Sequence, residues 1–166
     1  MIQWIENFIE QPQAVVGNLP VCPFARAARL RRAIRFEVMP FRLDDPLESG
    51  GRIMTLVHAL LADRELETLF VIHPDPDSIG ARPLEAFVAG LNARLACSET
   101  TACLQAFEAH PESTFCIGGL YTRRGPYPSF QVLSRELLKT ASDSLLGTQY
   151  YDLFTSDMLR AVGMPR

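Results

Sequence analysis

This chain predicts an α/β fold: a single-domain βαβαβ sheet, mostly parallel, with helices packed on it. Three observations carry that expectation. Strand-like runs lie near residues 34–38, 69–72 and 102–109; a helix-period stretch separates each consecutive pair; and 166 residues at 48% hydrophobic content can bury one substantial core but not two comfortable ones. Strand, helix, strand, helix, strand in that order favours parallel strands joined by right-handed crossovers. One domain is therefore expected over residues 1–166, with a helical lead-in at 1–21 and an amphipathic carboxy-terminal helix over 150–166.

The elements follow from spacing. Trp4, Ile5, Phe8 and Ile9 recur at helical period, and Pro12 stops that opening helix early. Pro23 suits the first position of a second helix, where its missing N–H does no harm. From Ile34 to Val38 apolar and polar residues alternate, as on a strand, before Pro40. After Gly50 and Gly51, the residues Ile53, Leu56, Val57, Leu60 and Leu61 form a helical stripe, and His58 lies on that helix as a structural residue. Leu69, Phe70, Val71 and Ile72 are a continuous apolar run, as on a strand covered on both faces. Leu84, Phe87, Val88, Leu91 and Leu95 make the next helical stripe, opened by Pro83. Residues 114–122, with Gly118 and Gly119, read as a loop or short strand. Ser129 to Leu133 suggests one more strand, residues 136–146 a helix, and Phe154, Met158, Leu159 and Val162 the amphipathic tail.

Composition narrows the function classes. Net charge is −3, so neither nucleic acid nor an anionic membrane is an expected partner. Lys139 is the single lysine among the basic residues. The amino terminus lacks a cationic start and a long apolar run, so no signal peptide is expected, and no segment reaches the apolar length of a membrane span. Cys22, Cys97, Cys103 and Cys116 stand at irregular spacings without a C-x-x-C pair, as reduced thiols in a cytoplasmic protein would. No Gly-rich phosphate loop, dinucleotide fingerprint or serine elbow is present, so no nucleotide cofactor is indicated.

Candidate chemistry concentrates in four places. Two strand ends echo each other: Ile72 runs into His73, Pro74 and Asp75, and Ala109 into His110, Pro111 and Glu112. Parallel strands would bring both imidazoles to one sheet edge, where ligands bind in open α/β sheets. There His73 and His110, with Glu108 and Asp75, could ligate a transition metal ion of unknown identity or exchange protons. The spacing matches no established metal motif, and each histidine could equally cap a strand and bond to backbone. Cys22 precedes a helix, where the helix dipole together with Arg26 and Arg29 would favour a thiolate; packing as an inert apolar residue is the alternative. Arg123 and Arg124, in a Gly-Pro turn with Tyr127, could grip an anionic small molecule, with the tyrosine donating a proton.

Leu19, Pro20, Val21, Cys22, Pro23, Phe24 and Ala25, then His110 and Pro111 followed by Phe115, then Arg124 to Pro128 form three boxes. Together they resemble a bacterial family classed as a domain of unknown function, with a Leu-Cys-Pro-Phe-Ala box near the start and an Arg-x-Pro-Tyr-Pro box near the end. Pro20 and Val21 stand before Cys22, and Ser134 before Arg135, as departures from that pattern. The resemblance implies marked positions at Cys22, His73, His110, Arg124 and Tyr127 and no established activity. Cys22 and Pro23 at a helix start, with Tyr127, Pro128 and Ser129 before a strand, also look like a monothiol thioredoxin-type arrangement.

The resulting expectation is a small cytoplasmic enzyme with catalytic Cys22, His73, His110 and Tyr127 and substrate-binding Arg123 and Arg124. It would act on an anionic small molecule, with metal-dependent redox chemistry favoured over hydrolysis. Two alternatives are a non-catalytic accessory protein binding a protein partner through its carboxy-terminal helix, and a monothiol thioredoxin-like redox protein.

Overall fold

The computed structural model describes residues 1–44, 47–48 and 50–164. The opening helical turn, α1 (Ile2–Trp4), widens at once into a π-helical turn over Ile5–Ile9 that buries Ile5 and Ile9. Pro12 lacks the N–H that would extend it. The chain instead forms a small antiparallel hairpin, β1 (Pro12–Gln13) with β2 (Leu19–Pro20). The lead-in over 1–21 is thus helical through Ile9 and again only in a 3-10 turn, Ala14–Val16. Arg29, on α2 (Ala25–Leu30), bonds Glu10 at 2.7 and 2.8 Å and Glu6 at 2.8 Å, fastening that helix to the amino-terminal turn.

The main sheet comprises β3 (Ile34–Val38), β4 (Thr68–Ile72), β5 (Leu104–Ala109) and β6 (Ser129–Ser134), in the order β3-β4-β6-β5. Strands β3 and β4 pair in parallel, whereas β6 is antiparallel to both β4 and β5. The sheet is therefore mixed α/β, and the mostly parallel arrangement expected from the sequence is not what forms. The first three strands run in one direction, but β6 returns between β4 and β5 and separates them. Only long crossovers can join parallel strands, while a strand that follows a loop can slot in antiparallel.

Alternation along the strands gives each face its own partner. Leu69 and Val71, Phe130 and Val132, and Leu104 and Ala106 face one side. There α3 (Arg52–Ala62) contributes Ile53, Val57 and Leu60, and α4 (Ala81–Ala96) contributes Leu84, Leu91 and Leu95, to a continuous core. Phe41, Phe87 and Phe130 meet in it, with Phe41 edge-on to Phe130 at 5.3 Å. His58, expected as a structural residue on the α3 stripe, is exposed instead.

Residues of the opposite register, among them Thr68, Phe70, Gln131 and Leu133, meet a different cover. It is built from α2, the amino-terminal turn, α5 (Arg135–Ser144) and the carboxy-terminal segment. Ser134 starts α5 cleanly: its Oγ accepts the Leu137 N–H at 2.9 Å. The tail expected as one helix over 150–166 is a 3-10 turn, Gln149–Tyr151, followed by α6 (Ser156–Ala161), and residues 165 and 166 lie outside the described residues. Close approach fixes this tail on the amino-terminal hairpin and on the turn between Ile117 and Leu120. A Cβ at Gly17 (φ +68°) would sit 2.8 Å from the Gln149 Cβ, and one at Gly118 (φ +54°) 2.7 Å from Leu153. Both positions need glycine for conformation as well as space. Among the described residues no helix is long and apolar enough to cross a membrane.

Candidate functional site

The two His-Pro strand ends do reach one edge. The His73 N–H donates to the Pro128 carbonyl at 2.9 Å, and the His110 N–H to that of Arg123 at 3.0 Å, so the 123–128 turn lies between them. There both imidazoles make local hydrogen bonds. His110 is 3% exposed. Its Nε2 lies 2.6 Å from the Ile79 carbonyl, and its Nδ1 accepts the Glu112 N–H at 2.9 Å. Both ring nitrogens are engaged by backbone, with Nε2–H as donor and Nδ1 as acceptor. The ring ties the end of β5 to the loop before α4. At His73, Nδ1 accepts the Asp75 N–H at 3.2 Å and lies 2.7 Å from the Ser78 Oγ, and the ring meets Phe41 edge-on at 5.4 Å.

The four residues expected to share a metal, His73, His110, Glu108 and Asp75, are not brought together. The Asp75 carboxylate accepts the Asp77 N–H at 3.0 Å within its own turn. Glu108 forms an ion pair with Arg123. Among the described residues, no three His, Cys, Asp or Glu side chains converge closely enough to hold a metal ion.

The two arginines expected to grip an anion are also occupied. Arg123 pairs with Glu108, donates to the Ala161 carbonyl at 2.7 Å, and lies 4.2 Å from the centre of the Phe115 ring. Arg124 stacks 3.5 Å over Tyr121 and donates to the Ser113 carbonyl at 3.0 Å. Tyr127 is half-buried, and no hydrogen bond to its hydroxyl is present among the described residues.

Cys22 sits elsewhere. It lines a cavity of about 330 Å³ between the second face of the main sheet and the terminal helical segments, which neither His73 nor His110 lines. Burial pushes its thiol up from the ordinary value, and the Glu10 carboxylate adds to the rise; the backbone N–H groups of Phe24 and Ala25 pull the other way and lose. The activation expected from Arg29 fails because that guanidinium is bound to Glu6 and Glu10. Tyr150, also on the cavity wall, hydrogen-bonds to the Val21 carbonyl, and burial raises its phenol well above the ordinary range.

These shifts have a sign. Both groups are neutral when folded and both pKa values are raised, so the stability they contribute is complete below their unfolded values and is lost as pH climbs through the folded ones. Thermal stability should therefore fall between about pH 8 and 11, less steeply in Cys22→Ala. Iodoacetamide near pH 8 should label the exposed Cys97 and Cys103 well before Cys22; mass spectrometry finding Cys22 labelled first would contradict this assignment.

Sequence reading missed this cavity. Its floor carries Ile34, Thr68, Phe70, Gln131, Leu133 and Phe107, and its cover Trp4, Ala28, Leu137, Ala141, Tyr151 and Phe154. Four charged residues reach it, and they neutralise each other in pairs: Arg123 with Glu108, and Arg31 with Glu67 at 2.8 Å. One signal was available: Gln131 is a carboxamide at an inward position of a strand flanked by apolar residues. Voids, by contrast, leave no local pattern.

The family described as "Protein of unknown function (DUF1415)" matches residues 1–153 of the chain. No curated protein and no solved structure matches it.

Proposed function

The chain belongs to this family of unknown function, and on the geometry above we propose that it binds a small, uncharged, largely apolar molecule between the main sheet and the terminal helices. The observation that carries the proposal is the cavity. It measures about 330 Å³ and is open in part to solvent, so a small molecule can enter it. Its size and mostly apolar lining suit a small-molecule site. Paired charges on its wall favour a neutral occupant over the anion expected from the arginines.

An enzyme using histidine, cysteine and carboxylates together needs those groups in one place, and their separation gives that reading less support. The thioredoxin-like alternative gains none, since the first strand of the main sheet comes only after α2.

Trp4 is the only tryptophan and lines the cavity, so binding there has its own reporter. Titration with uncharged N-phenyl-1-naphthylamine is expected to quench Trp4 saturably at one site per chain. Ala141→Phe, which fills the space from α5, should weaken binding at least about tenfold while preserving the circular dichroism spectrum. Absence of saturable quenching, or unchanged affinity in Ala141→Phe, would sink the proposal.

A further inference from the structure

Gln131 stands at the centre of the cavity floor. On the interior strand β6 it lies directly opposite Phe70 of β4 and Phe107 of β5, so a carboxamide is flanked by two phenylalanines. Every other charged or strongly polar group nearby is accounted for: Arg123 by Glu108, Arg31 by Glu67, and Tyr150 by the Val21 carbonyl. The Gln131 carboxamide alone among them has no hydrogen-bond partner among the described residues, although it lines the cavity. Solvent in the part-open cavity reaches its amide atoms, which leaves them free to bond an occupant.

We infer that Gln131 is the recognition residue of the cavity, and that its ligand is a neutral, flat molecule presenting a hydrogen-bond donor and an acceptor side by side, as a cyclic amide does. The inference rests on the binding function proposed above and names the chemistry of its occupant. A primary carboxamide offers one carbonyl acceptor and two N–H donors in a plane, which matches an adjacent C=O and N–H in two parallel bonds. The flanking Phe70 and Phe107 favour a ring over a chain, because aromatic faces and edges pack at fixed offsets. Neutrality follows from the paired wall charges: an anion would meet Glu108, and a cation Arg123, each already satisfied.

The test compares two probes of similar shape, 2-quinolone and naphthalene, by Trp4 fluorescence and calorimetry on the full chain. Wild type is expected to bind 2-quinolone about tenfold or more tighter than naphthalene. Gln131→Leu should abolish that preference while keeping naphthalene affinity. Gln131→Glu, which keeps the acceptor and loses the amide donors, should also lose the preference, so the outcome does not depend on one variant. Equal affinities in wild type, or a preference that survives Gln131→Leu, would overturn the role of Gln131 and leave the cavity proposal standing. Binding of neither probe, together with no response to N-phenyl-1-naphthylamine, would remove the cavity proposal and this inference with it.

Discussion

His110→Ala is expected to lower the unfolding free energy by about 4 kcal/mol, through loss of buried hydrogen bonds and of packing. The imidazole is 3% exposed and is held at both nitrogens by backbone, the Ile79 carbonyl at 2.6 Å and the Glu112 N–H at 2.9 Å. Alanine leaves both groups without their partner and opens a void beside Ile79, itself a buried core residue. Each abandoned buried polar group costs about 1–3 kcal/mol, and the void adds to that. The ring also closes a link of 31 residues between the loop before α4 and the end of β5. The loss should appear in urea unfolding as a lower midpoint with an unchanged slope. A change below about 1 kcal/mol would mean that the ring is not the structural tie described.

Arg123→Ala should cost a similar amount, about 3–5 kcal/mol, because it strands a partner. The side chains of Arg123 and Glu108 are 14% and 13% exposed, so removing the guanidinium leaves a carboxylate poorly solvated on the cavity wall. The same residue holds the end of α6 through the Ala161 carbonyl and packs on Phe115. Hydrogen exchange over residues 156–164 should therefore quicken in Arg123→Ala more than elsewhere in the chain. Replacing the pair together, as Arg123→Met with Glu108→Leu, should recover much of the global stability, since no charge is then left unmatched. If the double variant is as unstable as the single one, the ion pair is not the source of the loss.

Much of the fold was legible. Periodicity placed α3, α4 and the strands at 34–38, 68–72 and 104–109 within two residues, because each stripe is long enough to have one period. Strand order was not legible. The insertion of β6 between β4 and β5 depends on which loop closes with least strain, and the segment 129–134 reads alike in either direction. The candidate site divided in the same way. His73, His110 and the 123–128 turn lie at one edge, but Cys22, expected there with them, lines the cavity instead. The sequence could not show that backbone groups already occupy the imidazole of His110, or that Arg29 is taken up by Glu6 and Glu10. Such contacts join residues far apart in the chain. The cavity was hidden for a further reason: it is defined by where terminal segments fail to fill space above the sheet.

A crystal structure of the full chain soaked with naphthalene tests the central claim most directly, since it asks whether a flat apolar molecule occupies the space between the second sheet face and α5. Density for one ring system over Gln131, flanked by Phe70 and Phe107 with Ala141 above it, is the predicted result. A floor and cover closed onto each other, with no density between them at saturating naphthalene, would contradict it.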